Sequence, residues 1–258
     1  MAETIVMIHG MWGGSWCWDN YRSFFERKGF RCLTPVLRHH DIQPQDPPPE
    51  ALGRLSLRDY ADDLEDFVRA LEETPFIMGH SMGGLLAQML GARGLGKGLV
   101  LLTPAPPAGI NALTFTVIRS FWSVLSKWGF WKNPHRLPFN AASYAMMHRL
   151  PEDQRSREYA KLVFESGRAA AEIGFWPVDL GGAARVDHDA VRCPMLVIGA
   201  VEDRITPLAV TRKVARKYAH VATFRQFDGH AHWVIGEPGW EEIAGAVHRW
   251  MVDKVLLA

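Results

Sequence analysis

The 258-residue chain is poor in cysteine. Cys17, Cys32 and Cys193 cannot all pair within one chain and none stands in a CxxC, which argues against a disulfide framework or a zinc ribbon. No apolar run is long enough to cross a membrane. The opening "MAETIVMIHG" has an acidic residue, no basic one, and an apolar run too short for a signal-peptide core, so the expectation is a soluble, cytoplasmic protein. There is also no block of basic residues: 29 Lys and Arg against 28 Asp and Glu give a net charge of +1, and a nucleic-acid partner is not expected. "GMWGGS" and "GARGLGKG" match neither GxxxxGK[ST] nor a GxGxxG that follows a strand, which speaks against nucleotide binding. "HHD" (39–41) and "HAH" (230–232) lack further ligands at zinc-like spacing. Neither a metal nor another cofactor is expected, and the partner left is a small-molecule substrate. Composition says nothing about oligomeric state.

With 48% hydrophobic and 22% charged residues, the chain can bury one large core. Short apolar runs ending near glycine or proline occur at 4–10, 31–36, 75–79, 98–103, 195–200 and 221–227. Several are continuous rather than alternating, as parallel strands covered on both faces require. Helical patterns lie between them. The clearest, "SLRDYADDLEDFVRAL" (56–71), opens with Ser56 and Asp59 at capping-box spacing and repeats Leu57, Tyr60, Leu64, Phe67, Val68 and Leu71 at helical intervals. The proline-rich 41–55 reads as a surface loop. Alternation of strand and helix predicts a doubly wound, mostly parallel sheet. It is interrupted from about 104 to 191, where no strand is predicted and aromatic-rich helices form an α-helical cap, leaving 1–103 and 192–258 as the α/β core.

At the join between the third strand and the following helix stands "MGHSMGG" (78–84), with Gly79, Ser81 and Gly83 as GxSxG. By composition alone such a pattern turns up in about one chain in ten of this length. Its position adds the weight: a sharp strand-to-helix turn lifts Ser81 Oγ above the sheet's C-terminal edge, and the helix N-terminus offers N–H groups to a developing oxyanion. A serine needs a base, and the base needs an orienting acid. On such a turn the partners follow in the order acid, then histidine. "VEDRITP" after the fifth run supplies Glu202 and Asp203, with Asp203 favoured because it stands four residues before the helix-opening Pro207. "DGHAHWVIGEPGW" before the last helix supplies His230 and His232, between which periodicity does not choose.

Four motifs resemble the α/β-hydrolase superfamily: "HGMWGGSWCW" (9–18), "GHSMGG" (79–84), "DRITP" (203–207) and "HWVIGEP" (232–238). The resemblance implies an α/β-hydrolase fold and a catalytic triad of Ser81, Asp203 and His232, the histidine chosen because it stands five residues before Glu237. It also implies an oxyanion hole from the backbone N–H groups of Met11 and Met82. The HGxxxGxW opening is similar to that of plant methylesterases and hydroxynitrile lyases. The lyases carry a threonine after the first histidine and a lysine after the catalytic one, whereas this chain has Gly10 and Trp233, which implies hydrolysis. The aromatic residues of the cap and first loop suggest an apolar or aromatic substrate, with Trp12, Trp16, Trp122, Trp128 and Trp176 as candidate pocket residues. Ester hydrolysis leads. Lactone or C–C (β-ketone) hydrolysis uses the same triad, and a ligand receptor built on this scaffold is the alternative outside catalysis.

Overall fold

The computed structural model describes residues 2–257. In the first half, β1 (Thr4–Ile8), α1 (Asp19–Glu26) and β2 (Arg31–Leu33) are followed by α2 (Leu57–Arg69), β3 (Phe76–His80), α3 (Met82–Ala92) and β4 (Gly98–Leu102). The middle segment holds α4 (Phe115–Leu125), β5 (Pro134–His135), α5 (Phe139–Ala145), α6 (Glu152–Lys161), β6 (Glu165–Ser166) and α7 (Gly167–Gly174). The chain then returns through β7 (Met195–Ala200), α8 (Leu208–Lys217), β8 (Ala222–Phe227) and α9 (Trp240–Met251). Six strands form one sheet in the order β2-β1-β3-β4-β7-β8, and every pairing is parallel. This is the α/β-hydrolase architecture expected from the motifs.

β1, β3, β4 and β7 are buried along their whole length, and their residues alternate between two cores. Ile5, Met7, Val100, Leu102, Leu196 and Ile198 face one side, where Tyr21 and Phe25 of α1 and Ile243 and Val247 of α9 cover them. Val6, Ile8, Leu99, Leu101, Met195 and Val197 face the other, under Leu64 of α2, Leu85 of α3 and Val210 and Val214 of α8. Burial on both faces explains the continuous apolar runs. The helix from Leu57 begins with the expected capping box, in which the Ser56 N–H donates to Asp59 Oδ2 at 2.7 Å. α3 is buried on every side and sits directly on the strands. At Gly83 in its first turn an added Cβ would stand 2.1 Å from Ile8 O and 2.6 Å from His9 O, so only glycine lets helix and strand meet there.

The middle segment departs from a purely helical reading. β5 and β6 form an antiparallel two-residue ladder, too short to leave a periodic pattern in the sequence. The first helical stretch breaks after α4, where Gly129 takes a positive φ and Pro134 and Pro138 follow.

Polar contacts tie this segment to the sheet's flank. Glu165 of β6 is fully buried, accepting from Tyr60 Oη at 2.9 Å and the Ser166 N–H at 2.6 Å, with His40 Nε2 at 3.1 Å. His40 Nδ1 lies 3.1 Å from Arg38 O, so both ring nitrogens face acceptors, as an imidazolium requires. Burial alone would neutralise both groups, but their attraction and hydrogen bonds outweigh it and move the His40 pKa up and the Glu165 pKa down. Glu172 of α7 makes a second tie, accepting from Ser56 Oγ and the Leu57 N–H.

Glu165→Gln is expected to cost about 3 kcal/mol in denaturant unfolding at neutral pH, because it strands a buried His40 charge. The His40 contribution is complete below 6.5 and lost as pH rises through its elevated folded value. That of Glu165 is complete above 4.5 and lost as pH falls through its depressed folded value. Wild-type stability should therefore decline as pH rises from 6.5, and the decline should flatten in the Gln variant. Gly83→Ala is expected to cost about 3 kcal/mol or to prevent folding, read from the melting curve.

Candidate active site

Where β3 runs into α3, Ser81 is held at φ 55° and ψ −120°, a conformation an L-residue adopts only under constraint. Four backbone hydrogen bonds supply the constraint: the Ser81 N–H donates to Leu102 O at 3.0 Å, and Ser81 O accepts from the N–H groups of Gly84 at 2.9 Å, Ala105 at 2.8 Å and Leu85 at 3.3 Å. Gly79 is required by close approach, since a Cβ there would lie 2.1 Å from Gly83 O. The result is a serine with 9% of its surface exposed, whose hydroxyl has no hydrogen-bond partner among the described residues and opens on a cavity.

Met11 and Met82 border the same space. The Met82 N–H begins α3, where no preceding turn can accept it, and the Met11 N–H has no acceptor among the described residues. Met11 lies in the loop after β1, whose shape His9 holds. The Leu37 N–H donates to His9 Nε2 at 3.1 Å, so the proton sits on Nδ1, which donates to Gly10 O at 2.8 Å. Burial, and then the charge of His40, lower the His9 pKa to about 3 and keep it neutral.

Asp203 lies in the loop after β7. Its Oδ1 accepts from the N–H groups of Ile205 and Thr206, both at 2.8 Å, and its Oδ2 from Thr206 Oγ1 at 2.7 Å and His232 Nδ1 at 2.8 Å. Burial would raise its pKa, but the adjacent His232 and these donors hold it below the usual carboxylate range. His232 is fixed from behind as well: His80 Nε2 donates to His232 O at 2.8 Å, and burial lowers the His80 pKa to about 3 so that this ring stays neutral. His232 Nε2 has no partner among the described residues. It makes no hydrogen bond with Ser81 Oγ here, a bond that is often long in unliganded sites.

The two alternatives left open in the sequence separate by geometry. His230 Nδ1 pairs with Glu237 Oε1 at 2.9 Å, and the Ala231 N–H donates to the same oxygen, so His230 pins the loop to the start of the last helix. Glu202 turns outward, with its carboxylate 3.5 Å from Arg149. The histidines of "HHD" and "HAH" thus have carboxylate partners at His40, His230 and His232. Thr206, the threonine of "DRITP", was not singled out in the sequence. Its place three residues after the acid, at the mouth of a helix, is the signal that could have found it. Its hydroxyl also reaches Thr103 O at 3.0 Å, linking the acid loop to the end of β4.

The cavity over Ser81 measures about 70 Å³ and is almost entirely apolar. Val117, Phe121 and Val124 of α4, Ala170 and Ile173 of α7, and Ile205 form its walls. None of the five expected tryptophans lines it. Trp12 is buried behind the wall, against Phe121 and donating from Nε1 to His135 O at 3.2 Å. Trp16 packs on Trp233 and carries Lys161 over its ring. Trp122 of α4 and Trp128 just after it are 63% and 92% exposed, and Trp176 packs against the second core. Smaller side chains fill the positions facing Ser81.

The chain matches the Alpha/beta hydrolase family over residues 5–246. It is 26% identical over 214 residues to a monoacylglycerol lipase of Mycolicibacterium smegmatis, covering 78% of this chain and 73% of the relative. Among solved structures, a pyrethroid hydrolase of Sphingobium faniae superposes with a TM-score of 0.70 at 17% identity, covering 98% of each chain. A methylesterase from Arabidopsis superposes at 0.71 with 12% identity, covering 96% of this chain and 98% of the other. No helix among the described residues is long and apolar enough to cross a membrane. With its parallel sheet, its serine on a strained strand-to-helix turn and a match spanning nearly its whole length, the chain belongs to the alpha/beta hydrolase family.

Proposed function

We propose that this hydrolase cleaves carboxylic esters of apolar acids through an acyl-enzyme on Ser81. The observation that carries the reading is the His232 Nδ1 to Asp203 Oδ2 bond of 2.8 Å, on a loop whose His232 carbonyl is held by His80, the residue before Ser81. Ser81 Oγ attacks the ester carbonyl while His232 Nε2 takes its proton. The Met11 and Met82 N–H groups receive the negative charge that develops on the carbonyl oxygen. His232 then returns the proton to the leaving alcohol, and a water, deprotonated by the same nitrogen, releases the acid. Asp203, held ionised by its donors, fixes the histidine tautomer and stabilises the imidazolium without taking the proton. The apolar walls select a hydrocarbon chain next to the ester carbonyl, and the cavity's volume, well below the usual lower bound of about 300 Å³ for ligand pockets, limits how much of it fits there with Phe175 in place.

The test is release of p-nitrophenol from p-nitrophenyl butyrate. Ser81→Ala and His232→Ala should lose activity by about 10⁴-fold or more, and Asp203→Asn by about 10⁴-fold in kcat, with the native melting temperature kept in Ser81→Ala. His230→Ala should instead lower the melting temperature, since it leaves Glu237 buried without its ring partner, while keeping most of the activity. Equal losses at the two histidines, or activity surviving in Ser81→Ala, would overturn the reading.

A further inference from the structure

Behind one wall of the narrow cavity at Ser81 lies a second, larger cavity of about 630 Å³, open to solvent and bordered, Glu172 apart, by exposed or half-buried residues. The wall between them is α7. Ala170, Ile173 and Gly174 border the space above Ser81, and Arg168, Ala171 and Glu172 border the outer space, as positions on opposite sides of one short helix must. Phe175 borders both. It stands where α7 ends, directly after Gly174, with its ring 6.0 Å from that of Phe130. Phe130 in turn meets Trp131 at 5.5 Å, so an aromatic edge runs from the outer cavity to the inner one.

The outer cavity carries cations on apolar walls. Arg54, Lys132 and Arg168 border it, against Glu172 and Asp179. Both carboxylates are turned to internal duties. Glu172 accepts from Ser56 Oγ, the Leu57 N–H and Arg168 Nε, and Asp179 accepts from the N–H groups of Gly181 and Ala183. Lys132 has no ion-pair partner among the described residues, and Arg54 has only exposed Glu50 at 3.7 Å.

We propose that this outer cavity is a second substrate subsite, which holds a carboxylate at the far end of an apolar arm whose ester lies at Ser81, and that the Phe175 side chain gates the passage between them. The inner end of this assignment rests on the ester-hydrolase reading of Ser81. The outer end stands on its own cations and aromatic walls. A short ester would need only the inner cavity, whereas a long arm must displace the Phe175 ring.

The test compares p-nitrophenyl decanoate, its ω-carboxylated counterpart and p-nitrophenyl acetate. Wild type should favour the carboxylated ten-carbon ester over the uncharged one by about fivefold in kcat/KM, and Lys132→Glu should abolish that preference. Phe175→Ala should raise the ratio of decanoate to acetate turnover about tenfold. A second measurement needs no turnover: monomethyl decanedioate is titrated into Ser81→Ala and followed by tryptophan emission, with Trp131 as the reporter. Lys132→Glu should raise its Kd about fivefold. If the diacid monoester binds in this way but no ester turns over, the hydrolase reading fails and the subsite stands. Absence of binding, or a Kd and a chain-length ratio unchanged in folded Lys132→Glu and Phe175→Ala proteins, overturns the subsite.

Discussion

At Gly83 the first turn of α3 lies so close to the end of β1 that no side chain fits between helix and strand. That contact governs the site. It sets α3 directly over the central strands, and the chain between β3 and α3 must then turn within one residue, which puts Ser81 at positive φ. Such a conformation costs about 1–3 kcal/mol, and the four hydrogen bonds at the Ser81 backbone offset it. The same packing leaves the Met82 N–H unpaired at the helix start and brings it to the cavity that Met11 also borders. The strained serine and the unpaired Met82 N–H are thus consequences of one backbone approach rather than separate features.

Around this elbow, buried histidines divide their labour through their partners. His9 and His80 meet backbone groups, are kept neutral by burial, and brace the first loop and the His232 backbone respectively. His40 meets the buried carboxylate of Glu165 and carries charge, joining the segment after β4 to the sheet's flank. His230 meets Glu237 and anchors a loop. His232 meets Asp203, and its ring lies 4.9 Å from that of His80, the neighbour of Ser81 on the elbow. What separates these histidines is the partner each one meets, a distinction that residue type does not carry.

The scaffold was legible because its physics is local. Continuous apolar runs marked strands buried on both faces, Ser56 and Asp59 marked the start of α2, and Gly79 and Gly83 marked a turn too tight for side chains. The acid loop was legible from its place after a buried strand. His230 and His232 were not separable by pattern, since what divides them is a contact with Asp203, 29 residues earlier in the chain, for one, and with Glu237 for the other. The pocket was misjudged for a related reason. Tryptophans suggest a substrate wall, yet Trp122 and Trp128 are exposed, and the lining comes from alanines, branched aliphatics and the phenylalanines Phe121 and Phe175, whose role appears only when α4 and α7 close over the sheet. The tie between His40 and Glu165 spans 125 positions, and no local pattern announces it.

The proposed mechanism rests on Ser81 as a nucleophile activated by its place on the elbow and by His232. Exposure of the purified protein to a fluorophosphonate, followed by peptide mass spectrometry of wild type and His232→Ala, tests it. A single adduct on Ser81 should form rapidly in wild type and far more slowly in the variant. An unlabelled Ser81 in folded protein, or equal labelling with and without His232, would contradict it.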